Sequence, residues 1–201
     1  MKKSLFLVFA LAATLHADEG VLLQRIIALE KRVAELETKL APVLEEQRVK
    51  AVVAEQKAMA HERMLLDAEF LTRTDLNLIE KTYQTANQNW KTEEAKKAVA
   101  FLAARFPTAN RTGCAVLALA QAAEGDEQIQ LLQRAIEKHN GCFYITGVQV
   151  GAYARLYLGM RYKKDGNNEA AEKLFEEIRT NFRDAVDHKG QLLTVHLEGL
   201  E

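Results

Sequence analysis

The chain has 201 residues, of which 48% are hydrophobic and only two are prolines, so it can bury one sizeable core and should be ordered over most of its length. Ala, Leu, Glu, Lys and Gln are abundant, and this composition predicts an all-α fold. A net charge of −1 and the lack of any run of five or more basic residues exclude the usual electrostatic basis for binding nucleic acids.

The first element, residues 1–17, has the pattern of a secretory signal peptide. Lys2 and Lys3 precede an apolar run from Leu5 to Leu15, and Ala17 provides a cleavage position. The run is too short to span a bilayer, and no cysteine follows it to accept a lipid. We therefore expect an exported protein without a transmembrane segment. The alternative is an amphipathic N-terminus that is not cleaved.

Residues 18–47 are predicted to form a coiled-coil oligomerisation segment. Their apolar residues follow one another at alternating spacings of four and three, which is the heptad pattern of a coiled-coil seam. The members of this seam are Leu22, Ile26, Leu29, Val33, Leu36, Leu40 and Val43.

Charged residues flank the seam in a fixed order. In a parallel coil, Arg25 and Arg32 would each lie opposite the glutamate five residues further on in a neighbouring chain, Glu30 or Glu37. The segments RIIALE and RVAELE resemble a short motif of parallel three-stranded coiled coils, whereas β-branched residues alternating with Leu favour two strands. We expect a homo-oligomer and favour a trimer over a dimer. The alternative is a long helix that folds back on its own C-terminal domain.

Residues 48–72 are predicted to form a helical stalk in which the seam is lost. Pro42 lacks an amide hydrogen and predicts a bend or an interruption of the helix just before the stalk. Past Gln47, the same register would place Lys50 and Lys57 in the seam.

Residues 73–201 are predicted to form short paired helices. Six segments each carry one apolar face at helical spacing: TDLNLIEKTYQTANQNW, TEEAKKAVAFLAARFP, RTGCAVLALAQAAEG, DEQIQLLQRAIEKHNG, VQVGAYARLYLGMRYKKDG and NEAAEKLFEEIRTNF. Thr92 and Asp126 are suited to cap helix starts, and Gly125, Gly141 and Gly166 are suited to end helices.

Gly159 lies among large apolar residues in the fifth of these segments, although glycine destabilises a helix by about 1 kcal/mol relative to alanine. The surrounding order of large and small residues resembles a tetratricopeptide repeat over residues 153–183. The matching positions are Leu158, Gly159, Tyr162, Gly166, Ala171, Phe175 and Ile178. The resemblance implies two helices that cross closely, with Gly159 opposite Ala171.

Weaker versions of the repeat occupy residues 95–107 and 112–139, so the resemblance covers roughly residues 75–185. The tail from Asp184 is predicted to be a final amphipathic helix that caps the stack. Its apolar face would consist of Leu192, Leu193, Val195 and Leu197. The expected architecture is a long N-terminal helix followed by a short α-solenoid of hairpins that resemble tetratricopeptide repeats.

This order of signal peptide, short parallel coiled coil and tetratricopeptide repeats is similar to that of the Tol-Pal-associated periplasmic cell-division coordinator (YbgF-like) family. The polar linker that usually separates coil and repeats in that family is not visible here, and the repeat array is shorter. The resemblance implies a periplasmic adaptor that binds a protein or peptide partner through its repeats. Projection of the fifth segment from its packed positions gives the groove residues Tyr153, Leu156, Met160 and Lys163. Packing of Leu156 and Met160 on the preceding repeat is the alternative.

Cys114 and Cys142 are the only cysteines, and an even pair in an exported protein favours a disulfide. Two buried free thiols are the alternative. Asp184, Asp187 and His188 form the densest polar cluster, which is more typical of a helix cap than of acid–base catalysis.

The sequence contains no phosphate-cradling loop, no nucleophile elbow and no histidine pair with metal-ligand spacing. We therefore expect no catalytic residues, metal or cofactor. The leading hypothesis is an exported oligomeric adaptor that binds proteins or peptides. The alternative is a structural spacer of the cell envelope that acts mainly through its coiled coil.

Overall fold

The computed structural model describes residues 21–200 in full and residues 2–20 by their backbone alone. In chain order its helices are α1 (Lys2–Phe70), α2 (Arg73–Asn87), α3 (Glu93–Arg105), α4 (Asn110–Ala122), α5 (Gly125–His139), α6 (Val150–Lys164) and α7 (Asn168–Asn181), followed by a short 3-10 helix (Leu193–Leu197). This confirms the all-α prediction. The predicted signal peptide, residues 1–17, lies outside the residues whose side chains are described.

The chain divides into two compact units, Met1–Arg48 and Val49–Glu201. Helix α1 continues without interruption through Pro42 and supplies residues to both units. In the first unit, none of the residues from 21 to 48 is buried. The second unit contains all the buried residues of the described chain.

In the second unit, helices α2 to α7 form three consecutive hairpins, α2 with α3, α4 with α5 and α6 with α7. Each hairpin also packs on the next, and the first helices of the hairpins contact one another in the order α2, α4, α6. A large apolar cluster joins the first two hairpins to α6, and a smaller one lies between α6, α7 and the 3-10 helix. The structure therefore has the hairpin layout that the sequence predicted.

Local capping explains where several of these helices begin and end. The side chain of Thr92 accepts the N–H of Ala95 and caps α3 as predicted. Gly166 follows α6 with φ of 81°, and its N–H donates to the carbonyl of Lys163. The capping prediction for Asp126 is wrong, because α5 already begins at Gly125 and Asp126 lies within its first turn. The prediction that Gly125 ends a helix is wrong for the same reason, whereas Gly141 does follow the end of α5.

Each hairpin is followed by a connection: the first is 106–109, the second is 140–149 and the third, after the last hairpin, is 182–192. The second and third connections have the same backbone structure. The residues 143–149 and 186–192 each close a turn through one isolated antiparallel bridge. A glycine with positive φ occupies the equivalent place in both, Gly147 at 92° and Gly190 at 79°. The first turn leads into α6, but the second leads only into the five-residue 3-10 helix. The prediction of a C-terminal α-helix from Asp184 is therefore wrong.

The last part of α1 packs along all three connections. The guanidinium of Arg63 donates to the carbonyl of Thr108 before α4. Gly147 in the second connection approaches Gln56 so closely that a Cβ there would lie 3.1 Å from the Gln56 Cβ, and Gly190 in the third lies against Val53. Residues that were expected to form a stalk are thus part of the hairpin unit.

Gly159 allows close packing within the third hairpin, but its neighbour differs from the prediction. A Cβ at this position would lie 2.4 Å from Cε1 of Phe175, and the other two nearest atoms also belong to that ring. Ala171 is therefore not the residue that requires glycine here. Phe175 is 1% exposed, so its ring has little room to move.

Substitution of Gly159 by alanine should lower the free energy of unfolding by about 1–2 kcal/mol. Overpacking against a buried ring costs about 1–3 kcal/mol, and the higher helix propensity of alanine returns up to about 1 kcal/mol. Urea unfolding of the variant measures the difference. The shorter side chain in Phe175→Leu should make the double variant less destabilised than the sum of the single variants, and strict additivity would contradict the contact.

Candidate interaction surfaces

The predicted seam of α1 is uncovered in the single chain. Its seven members, from Leu22 to Val43, have exposed fractions between 47% and 63%. The neighbouring apolar residues Leu23, Ile27 and Leu44 are equally exposed. A continuous apolar stripe of this length is typical of a surface that binds another protein chain.

The charged residues beside the seam are unpaired within the described part of the chain. Arg25, Arg32, Glu30 and Glu37 make no ion pair there, although all four are exposed. They are therefore available for contacts between chains of a parallel coil.

The predicted groove residues of α6 do not share one surface. Leu156 is 4% exposed and packs in the smaller apolar cluster with Phe175, so its assignment to a groove is wrong. This cluster consists of residues of α6, α7 and the C-terminal tail, so Leu156 does not pack on the preceding hairpin either. Tyr153 is half-buried, Met160 is exposed and Lys163 is partly exposed. Spacings of four and seven residues place Tyr157 and Met160 on the same helix face as Tyr153, whereas Lys163 lies on the side of Leu156.

An aromatic cluster extends the surface of Tyr153 onto the second and third connections. The rings of Tyr153 and Tyr157 are 5.2 Å apart, and the ring of His188 lies 5.4 Å from Tyr153. His188 also contacts Tyr144 edge-to-face at 4.9 Å. Burial lowers the pKa of His188 and raises the pKa of Tyr153, so both side chains are neutral at pH 7. The cluster therefore offers neutral aromatic rings to a ligand.

Sequence reasoning missed most of this cluster. Tyr157 follows Tyr153 by one helical turn, and this spacing could have identified it. His188 was noticed only as the neighbour of two aspartates. Its contact with Tyr144 joins the second and third connections, and no local pattern encodes such a contact.

Arg111 on α4 contacts two residues of α2. The Nε of Arg111 donates to Glu80 at 2.7 Å, and its guanidinium lies 4.4 Å from the ring centre of Tyr83. Burial raises the pKa of Glu80, but hydrogen bonds from Gln84 and Arg111 outweigh it and the net pKa is lowered. Glu80 is therefore ionised at neutral pH, and the pair links the first helices of two hairpins.

The predicted disulfide between Cys114 and Cys142 is not formed, because both residues are free thiols in the structure. The sulfur of Cys114 points to the carbonyl of Phe143 at 3.3 Å, while the sulfur of Cys142 lies over Gly113. Burial raises the pKa of both thiols, that of Cys142 to about 11. Both thiols are therefore protonated at neutral pH. Because the thiolate is the reactive form of cysteine, a redox role for these residues has no support here.

Asp187 stabilises the third connection. Its Oδ1 accepts the backbone N–H groups of Lys189 and Gln191, and its Oδ2 lies 3.0 Å from Nε2 of His196. Burial raises the pKa of Asp187, but these hydrogen bonds dominate and lower it overall. The polar cluster of Asp184, Asp187 and His188 thus contains a turn-stabilising carboxylate, and the helix that Asp184 was expected to cap is absent from the described residues.

Residues 21–200 contain neither a cluster of metal-binding side chains nor a helix that could span a membrane. No group of three or more His, Cys, Asp or Glu side chains in this range is arranged to hold a metal ion. Likewise, none of the helical segments there combines the length and apolar character needed to cross a membrane. No protein-family model, curated protein or solved structure matches this chain.

Proposed function

We propose that this protein is an exported, periplasmic and oligomeric adaptor that binds proteins or peptides through its hairpins, which resemble tetratricopeptide repeats. The observation that carries the proposal is the uncovered seam from Leu22 to Val43, which is about half exposed at every position. Isolated helices of this kind are marginal in water, so a stable protein covers the stripe with further chains. The N-terminal segment 1–17 supports export through its basic start and short apolar run.

The charges beside the seam favour a parallel homo-oligomer, with three strands rather than two. Arg25 and Arg32 would each find a glutamate of the next chain, and the apolar residues Leu23 and Ile27 widen the stripe beyond a two-stranded seam. Sedimentation equilibrium of residues 18–201 measures the strand number directly.

The surface formed by Tyr153, Tyr157 and Met160 is the proposed site for a bound protein or peptide. Tyrosine offers a large apolar ring with a polar end, and methionine adapts its shape to different partners. Arg111 lies on α4, the first helix of the preceding hairpin, and is held in place by its ion pair with Glu80. Oligomerisation would present several such surfaces at once and increase avidity for a multivalent partner.

A peptide display selection on residues 18–201 tests this site. Replacement of Tyr157 and Met160 by serine should weaken the selected peptides by about 10-fold or more, since interface anchors contribute at least about 1–2 kcal/mol each. Lys173→Ser on the exposed face of α7 is the matched control and should bind like the wild type. If the double variant bound the peptides as tightly as the wild type, the binding site would have to lie elsewhere.

The second candidate function is a structural spacer of the cell envelope that acts mainly through the coil. The absence of burial from 21 to 48 supports this function as well. Deletion of residues 18–47 separates the two functions. The hairpin domain of an adaptor should retain its peptide with lower avidity, whereas a spacer loses its function with the coil. A fusion of residues 1–20 to a reporter that is active only after export tests the proposed localisation.

A further inference from the structure

His139 occupies a position where the other two hairpins carry phenylalanine. It ends α5, and the equivalent residues just after α3 and α7 are Phe106 and Phe182. In all three hairpins the carbonyl of this residue accepts an N–H from the third residue further on, at 3.2 Å for Phe106, 3.0 Å for His139 and 2.9 Å for Phe182. A polar ring thus replaces an apolar one at the same place in the fold.

The imidazole of His139 is buried without any hydrogen-bond partner. The residue is 3% exposed, and neither Nδ1 nor Nε2 forms a hydrogen bond. A neutral imidazole has one donor and one acceptor, so both are left unsatisfied. Burial lowers the pKa of His139 to about 4, and the positive charge of Arg134 adds to this effect.

Arg134 is the one charged group that shifts the pKa of His139, and it disfavours the charged form of the ring. On the side of α4, a Cβ at Gly113 would lie 2.9 Å from the Cβ of His139 and 2.6 Å from the sulfur of Cys142. The titratable groups on that side are the thiols of Cys114 and Cys142, both neutral, and beyond them Arg63 and Asp67 of α1, which pair with each other.

On its other side, His139 borders an open cavity of about 640 Å³. The charged groups that line this cavity all belong to α5 and are Arg134, Glu137 and Lys138. Two cations and one carboxylate give a net positive wall, which opposes a second positive charge on the imidazole.

We propose that His139 is an acid-sensitive latch that holds the connection between α5 and α6 closed while its ring is neutral. The connection, residues 140–149, begins directly after His139 and is fastened to α4 by two hydrogen bonds between Asn110 and the backbone of Phe143. A proton binds far more readily when the ring leaves its site for water, and this movement separates the end of α5 from α4. The cavity beside the ring provides the space for that movement.

The direction of the pH dependence follows from linkage. The open form has an ordinary imidazole that binds a proton near pH 6.5, whereas the closed form binds one only near pH 4. Between these values the open form carries more protons, so its population rises as the pH falls. Below about pH 4 both forms are protonated and the dependence ends.

Amide hydrogen exchange of residues 18–201, corrected for intrinsic rates, tests the latch. The protection factors of peptides that cover residues 139–150 should fall by about 10- to 50-fold between pH 7 and pH 4.5. The upper figure is the full linkage effect. Peptides from α2 in the same molecule should keep theirs, because the proposed opening is local. A parallel loss in α2 would show global unfolding and overturn the proposal.

The variants provide the decisive comparison. His139→Phe restores the residue found in the other hairpins and should abolish the loss of protection, while His61→Gln, at an exposed histidine of α1, should behave as the wild type. If the His139→Phe variant does not fold, His139→Leu gives the same comparison. Constant protection in the wild type, or an equal loss in the His139 variants, would refute the latch.

Discussion

Asn110→Ala is expected to lower the free energy of unfolding by about 3 kcal/mol, a large part of the stability of a domain of this size. Asn110 is 3% exposed, and its amide accepts the N–H of Phe143 at 2.7 Å and donates to the carbonyl of Phe143 at 2.8 Å. Alanine would leave the N–H of Phe143 buried without a partner and its carbonyl with only the weak thiol donor of Cys114. Each buried group that loses its partner costs about 1–3 kcal/mol. Urea unfolding at pH 7 measures the change through its midpoint.

Asn77→Ala is the matched control for this prediction. Asn77 is exposed on α2, so its loss should change stability by no more than about 0.5 kcal/mol. Asn110→Asp keeps the acceptor but removes the donor, and it adds a charge next to Asp67, whose carboxylate accepts the backbone N–H of residue 110. Equal stabilities for the alanine variants of Asn110 and Asn77 would show that Asn110 does not hold the connection.

Lysine at both Leu29 and Leu36 is expected to convert the oligomer of residues 18–201 into a monomer. Both positions belong to the seam and are exposed in the single chain, at 59% and 63%. In an assembled coil they would be buried, and unpaired ammonium groups in a low-dielectric interior cost several kcal/mol each. Sedimentation equilibrium at micromolar concentration should give the mass of one chain.

Lysine at Ala28 and Ala34 is the control, because these residues lie on the same helix but outside the seam. This variant has the same charge and should keep the mass of the wild type. If both double variants remained oligomeric, the seam would not be the interface. If the unmodified protein were itself a monomer, the oligomeric adaptor would be refuted.

The elements that depend on neighbouring residues were predictable from the sequence. The exposed apolar stripe of α1 follows from a spacing of four and three, and the start of α3 follows from the hydroxyl of Thr92. Both depend on interactions within one or two helical turns, so a short stretch of sequence contains the whole cause. The three hairpins followed in the same way from six amphipathic segments.

Predictions about the direction of individual side chains were less successful. Leu156 and Met160 looked equivalent in the sequence, yet only Leu156 is buried, because α7 and the 3-10 helix cover that side of α6. Cys114 and Cys142 end near the same place in the fold, but Cys114 points to the carbonyl of Phe143 instead of the other thiol. Such directions depend on how whole helices are rotated about their axes.

The sequence by itself therefore determined the helices, their pairing and the exposed stripe of α1. The tertiary structure alone decided that residues 49–70 pack on the hairpin connections, that the tail ends in a 3-10 helix, and that His139 is buried without a partner. The physical reason is one of range. Helix formation and amphipathic pairing depend on residues a few positions apart, whereas burial and hydrogen bonding at these sites depend on groups brought together from distant parts of the chain.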